Sequence, residues 1–219
     1  MPGKNAANDK QIVDAVNNGT LDIKVLDTAV ERILNIVLKY TENKQSETKI
    51  DFEADHEEAR KIADESMVLL KNDGILPLKR SQKLAFIGKF AETPRFQGGG
   101  SSHINTASFP NALDALRKLG VTVTYAPGYS LKDEENRELE EQALALAAGQ
   151  KTVLFFGGLT DQYEGEGYDR ESLAMPANQL HLLNKICEVS PNVAVVSLPG
   201  APHGMGFEKK GRGLLPMYL

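Results

Sequence analysis

The chain is poor in several features that would announce a function. It has one cysteine, Cys187, in 219 residues, so an internal disulfide is excluded; the residue falls in a helical pattern and reads as a small buried hydrophobe. Four histidines, His56, His103, His181 and His203, show no metal-ligand spacing, and His56-Glu57-Glu58 is no zinc motif. No metal and no cofactor are therefore expected. Basic charge is not in excess: the net charge is −5 and the pI near 5.5, which gives no reason to expect nucleic acid or an anionic membrane as a partner. No stretch approaches 18 apolar residues, and Met1 to Lys10 lacks an apolar leader core, so a soluble, cytoplasmic protein is expected. Gly-x-Ser-x-Gly, the strand-to-helix elbow of a serine esterase, is missing: Ser101 and Ser102 follow three glycines without a closing one, and Ser197 lies in a strand pattern. Walker and dinucleotide glycine spacings are absent too.

What the chain does have is alternation. Short apolar runs at Leu84 to Gly88, Val121 to Tyr125, Thr152 to Gly157 and Val193 to Leu198 read as strands buried on both faces. Helical patterns separate them: Asn111 to Leu119, closed by Gly120, then Asp133 to Ala148 and Pro176 to Val189. Strand and helix in turn imply an α/β three-layer sandwich around a mainly parallel sheet of about five strands. A chain of this length with 41% hydrophobic residues can bury such a core.

The first third differs. Asp9 to Val16 and Ile23 to Tyr40 read as helices, the second with an apolar stripe of Ile23, Leu26, Val30, Ile33, Leu34 and Val37. A polar stretch, Thr41 to Lys49, has linker composition, and Asp55 with Glu58 suggests a capping box for a helix from His56 to Leu70. The expected division is a helical segment, 1–45, before a sandwich domain, 46–219. At the far end Leu214 to Leu219 allows a last strand that Pro216 would confine to a sheet edge.

In parallel sheets ligands bind outside the carboxyl ends of the strands, and three unusual loops leave there. One carries Arg95, Phe96 and Gln97 into Gly98-Gly99-Gly100-Ser101-Ser102-His103. Another is Glu164-Gly165-Glu166-Gly167-Tyr168-Asp169-Arg170, and the third runs from Pro199 to Met205. The glycine amides of the first loop are able to cradle an anion; a flexible rim is the plainer reading. Tyr168, Asp169 and Arg170 are expected to fix their own loop, by an internal ion pair and packing, rather than to touch a substrate. The acidic run Asp133 to Glu141 reads as a solvated helix face.

Glu65 to Asn72 with Leu76-Pro77-Leu78, the Gln97 to Ser102 loop, and Glu164 to Arg170 occur in an order and spacing that resembles the second, α/β-sandwich domain of family 3 glycoside hydrolases, the β-glucosidase group. The likeness covers roughly residues 1 to 200. Met1-Pro2-Gly3, Asn8-Asp9 and Val30 to Leu34 resemble the end of that family's barrel domain, so the chain looks like a member without most of its barrel. The resemblance implies retaining hydrolysis of a β-linked glucoside or related sugar, which needs two carboxyl groups about 5 Å apart. Glu166, just before Gly167-Tyr168-Asp169-Arg170, matches the family's acid/base; Gln97, Gly98, Gly99, Gly100, Ser101, Ser102, Tyr168, Asp169 and Arg170 fall where substrate contacts are expected. The family's aspartate nucleophile has no counterpart here, and Asp161 and Glu164 are the residues near enough in sequence to substitute. To act as an acid at neutral pH, Glu166 would need its pKa raised from about 4.3 to roughly 6 or 7. The other reading is an inactive sandwich that binds glycans feebly. Beyond Pro202 the chain departs from the family's pattern, with an incomplete sheet as the expected result; from that follows a homo-oligomer, with the two N-terminal helices either exchanged or covering the face left by the barrel.

Overall fold

A computed structural model describes residues 6–44, 49–204 and 206–218. Met1 to Gly3, residues 45–48 of the expected linker, Met205 and Leu219 lie outside that set. The chain divides into two compact units, residues 1–54 and 55–219. The first holds helices α1 (Ala6–Asn17) and α2 (Ile23–Glu42). Asp22 caps α2 by accepting from the Lys24 amide, and the expected stripe is largely exposed, with Ile23, Val30, Ile33, Leu34 and Val37 all open.

Helix α3 (Phe52–Ser66) begins before and ends before the expected span. Its cap is Asp51, whose side chain accepts from the Ala54 amide at 3.1 Å, and not Asp55. Residues 68 to 72 leave the helix because their backbone is used elsewhere: the amides of Val68 and Leu70 donate to the carbonyls of Pro216 and Leu214. This segment includes β1 (Lys71–Asn72), and the remaining strands are β2 (Leu84–Ile87), β3 (Val123–Ala126), β4 (Val153–Gly158), β5 (Val193–Leu198) and β6 (Gly213–Pro216).

Among the described residues the sheet has six strands in the order β1-β6-β5-β4-β2-β3, parallel except for β1. The sixth strand is the two-residue β1, too short to leave a pattern. It also displaces β6 from the edge, which corrects the expectation for Pro216. That proline closes the strand opposite Ser197, its carbonyl still accepts from Val68, and the next amide, that of Met217, donates to the Ser197 carbonyl at 2.7 Å in place of the N–H that proline lacks.

Alternate residues of each central strand enter opposite layers, the period-two consequence of a pleated backbone. Ala85, Ile87, Val153, Phe155, Val193 and Val195 meet Leu182, Leu183 and Ile186 of α6 (Ala177–Val189) and Ala143 and Ala147 of α5 (Arg137–Ala148). Leu84, Phe86, Leu154, Phe156, Val196 and Leu198 meet Leu113 of α4 (Ala112–Lys118) and Phe90 on the other side. Phe155 is fully buried; truncating it to alanine is expected to cost about 3–5 kcal/mol.

The chain moves outward from β2 to β3, then returns past β2 to β4 and continues to β5 and β6. The order therefore reverses between β2 and β4. Loops leaving the carboxyl ends of strands on either side of such a reversal frame a crevice, the usual ligand position in doubly wound sheets. Gly88 makes the turn out of β2 possible: its φ is +122°, and a Cβ there would lie 1.9 Å from the Phe156 carbonyl oxygen of β4.

Candidate functional site

The loop after β2 and the loop after β4 close on one another through Glu166. One carboxylate oxygen, Oε2, accepts from the Ser101 amide at 2.6 Å, and the other, Oε1, accepts from the Ser101 hydroxyl at 2.9 Å. The Glu166 amide donates to the Gly99 carbonyl at 3.3 Å. The anion cradled by the glycine loop is thus the candidate catalytic carboxylate itself. Gly100 permits the approach: it has φ +97°, and a Cβ would fall 2.5 Å from the Glu166 side chain. These two donations hold the exposed Glu166 carboxyl below its ordinary value, against a smaller opposing effect of burial. At neutral pH it is a carboxylate, so the upward shift that an acid needs is not produced by these loops.

Beside this contact lies a buried ion-pair cluster. Arg95, leaving β2, donates to the carboxylate of Glu164, to that residue's carbonyl at 3.3 Å, to the Leu159 carbonyl at 3.3 Å and to Asp161 at 3.1 Å. Glu164 also accepts from the Gly200 amide at 3.1 Å, bringing in the third loop. Asp161 and Glu164, the residues expected to offer a second catalytic carboxylate, are therefore both engaged by Arg95. In the sequence Arg95 is one of two cations, with Lys89, in the segment leaving β2, and nothing local marks it as the partner of Asp161 and Glu164.

The other expected site residues are placed as follows. Gln97 braces its own loop, accepting from the Ile104 amide at 2.9 Å and pairing with His103 Nδ1 at 3.0 Å. The Ser102 hydroxyl donates to the Gly98 carbonyl at 3.2 Å. Tyr168 folds back over Gly165 and donates its hydroxyl to the Asp161 carbonyl. Arg170 donates to the Pro202 carbonyl at 2.7 Å, so its anchor is the third loop and not an ion pair within its own. Tyr168, Asp169 and Arg170 line a cleft of about 500 Å³ together with Leu173 and Ala201. A second cleft, of about 350 Å³, lies along Gly98, Gly99, Phe96 and Phe109; the two rings are 4.6 Å apart.

The profile of the glycosyl hydrolase family 3 C-terminal domain matches residues 67–219. The chain belongs to glycosyl hydrolase family 3. Thermostable β-glucosidase B of Acetivibrio thermocellus is 41% identical over 224 residues, covering 100% of this chain and 30% of that protein. An exo-α-(1→6)-L-arabinopyranosidase of Bifidobacterium longum is 38% identical, covering 96% of this chain and 30% of the relative. Among solved structures, a family 3 β-glucosidase of Bifidobacterium adolescentis superposes with a TM-score of 0.89 at 38% identity, over 100% of this chain and 32% of its own. The chain spans about a third of the length of these relatives.

Two further placements escaped sequence reading in this family 3 domain. Asp133, taken for part of a solvated helix face, caps α6: it accepts from the amides of Asn178 at 2.8 Å and Ala177 at 3.1 Å, and from the Tyr163 hydroxyl. Burial works to raise its pKa, and the donations from Asn178, Tyr163 and Ala177 outweigh it, leaving the carboxyl below the ordinary range. Helix α5 starts only at Arg137, where Asn136 caps it. Ser197 and His203 form a buried pair at 2.8 Å, with His203 Nδ1 on the Gly204 carbonyl at 3.1 Å. A serine with no exposed surface presents no nucleophile to an acyl substrate, so this pair fastens the third loop to β5. Among the described residues no helix is long and apolar enough to cross a membrane.

Proposed function

We propose that this chain carries the acid/base carboxylate, Glu166, of a retaining glycosidase acting on terminal β-linked sugars. The observation that supports it is the position of Glu166: an exposed carboxylate on the crevice rim of the sheet, at the order reversal, in a family 3 domain. In such a reaction one carboxylate attacks the anomeric carbon while the other protonates the leaving oxygen, then takes a proton from the water that releases the sugar. Tyr168 and Asp169 then line the sugar's approach, while Gln97 and Arg170 brace the loops. With Asp161 and Glu164 held by Arg95, the nucleophile in this proposal lies in the two thirds of a full-length relative that this chain does not match.

The relatives are named as a β-glucosidase, an arabinopyranosidase and exo-1,4-β-xylosidases, so the substrate class is a pyranoside at a chain end. Hydrolysis of 4-nitrophenyl β-glucoside, β-xyloside and α-L-arabinopyranoside by a chimera in which this chain replaces the matching third of the Acetivibrio thermocellus relative, and by the Glu166→Gln form of that chimera, tests the reading. Turnover abolished in the variant supports it. Turnover that is equal in both sinks it.

A second reading, a sandwich that hydrolyses nothing and self-associates, draws on the engaged carboxylates and on the exposed apolar stripe of α2. Sedimentation analysis checks it: a monomer at micromolar concentration rules out the association.

A further inference from the structure

The contact between Glu166 and Ser101 is asymmetric in a way that bears on proton transfer. At Oε2 the partner is a backbone N–H, which donates and never accepts. At Oε1 the partner is a hydroxyl, which does both by rotating about its C–O bond. We propose that Ser101 is the positioning residue of Glu166, holding Oε2 fixed and leaving Oε1 as the oxygen that gains and loses the proton, with the serine hydroxyl turning from donor to acceptor as it does so. This rests on Glu166 as the acid/base, but its geometry stands on the two loops alone.

The proton balance is simple. In the carboxylate form both oxygens accept from Ser101. When a proton arrives, it bonds to Oε1, and the Ser101 hydroxyl releases its donated hydrogen bond and accepts the new O–H. A proton on Oε2 would turn the acceptor of the 2.6 Å Ser101 N–H bond into a hydroxyl oxygen, a weaker acceptor than the carbonyl oxygen that remains when Oε1 carries the proton. Oε1 is thereby the oxygen that carries the proton, parked on the Ser101 hydroxyl until a bound leaving oxygen takes the hydroxyl's place as acceptor. Gly100 belongs to the same device, because a side chain there would occupy the carboxylate's place.

Among the described residues no other ionisable group is a resolved influence on this carboxylate. On the two loops Arg95 binds Asp161 and Glu164, His103 pairs with Gln97, Tyr168 donates to the Asp161 carbonyl and Arg170 to that of Pro202. Asp169 and Glu171 are exposed, and neither hydrogen-bonds to Glu166. Ser101 is the dominant influence on its charge.

The test is a carboxyl-carbon NMR titration of Glu166 in the full chain, in Ser101→Ala, in Ser101→Thr and in Gly100→Ala. Wild type is expected to titrate below the ordinary value of about 4.3. Ser101→Ala should titrate higher, having lost one donor to the charged form, and Ser101→Thr, which keeps the hydroxyl, should stay with wild type. Gly100→Ala, which removes no hydrogen-bonding group, should move upward with Ser101→Ala if the close approach matters. Ser101 is exposed, so these variants should retain the dispersed amide spectrum of wild type. Equal midpoints in wild type and Ser101→Ala overturn the proposal, as does a shift in Ser101→Thr as large as in Ser101→Ala. The titration needs no turnover, so its outcome is separate from that of the hydrolysis assay.

Discussion

Arg95 and Glu164 stand 69 positions apart and form an ion pair in which the arginine side chain is 6% exposed and the glutamate 13%. The pair joins the loops after β2 and β4, and through the Gly200 amide it holds the third loop as well. Removing one partner of a buried pair strands the other in a poorly solvated place, at a cost of roughly 3–5 kcal/mol. Arg95→Met should therefore lower the urea midpoint of the sandwich substantially. Asp161, 80% exposed on the same arginine, is a surface partner worth about 0–1 kcal/mol. Asp161→Asn should be nearly silent in the same experiment. Equal losses in the two variants would show that the cluster is not organised by Arg95 and Glu164.

Much of this architecture is legible because the central strands carry their own label. Thr152 to Gly157 and Val193 to Leu198 are apolar on both faces, Thr152 and Ser197 excepted, as a strand covered on both sides is expected to be, and the observed strands fall within a residue of those runs. The pieces that were not legible depend on partners distant in the chain. Residues 67 to 70 look like the end of a helix until β6 supplies carbonyls for Val68 and Leu70. Asp133 sits in a run of charges, and nothing local says that the first turn of α6 will arrive above it. The rim itself follows from topology, whereas the pairing of Glu166 with Ser101 does not: a glycine loop can cradle any anion.

Gly88 tests the order reversal at the backbone. Its φ of +122° is costly for any other residue, and its Cβ would overlap the carbonyl of Phe156 in the neighbouring strand. Gly88→Ala should destabilise by more than about 1 kcal/mol. It should also loosen the β2 to β4 pairing, seen as faster amide exchange at residues 86 and 155. Unchanged exchange there would mean that the turn relaxes without disturbing the sheet.

Asp133 predicts an acid limb. Its carboxyl lies below the ordinary range when folded, so its contribution is fully present above the unfolded pKa, about 3.9, and fades as pH falls through the lower folded value. Thermal midpoints of wild type and Asp133→Ala should differ most at pH 6 and converge as pH drops below 4. The gap at pH 6 should match the loss of a helix cap, about 0.5–2 kcal/mol. A gap that does not narrow on acidification would assign the effect to packing and not to the charge on α6.

Ser197 and His203 separate a structural serine from a reactive one. With His203 Nδ1–H donating to the Gly204 carbonyl, Nε2 is left to accept from the Ser197 hydroxyl. Ser197→Ala leaves that nitrogen buried and without a donor, a loss of about 1–3 kcal/mol, which thermal unfolding would read. The same serine is fully buried, so an organophosphonate that labels activated serines should leave the folded chain unmodified at position 197. The two measurements pull apart cleanly: destabilisation without labelling assigns the pair to holding the third loop on β5, and labelling of the folded protein would restore an acyl-transfer chemistry that the missing nucleophile elbow otherwise argues against.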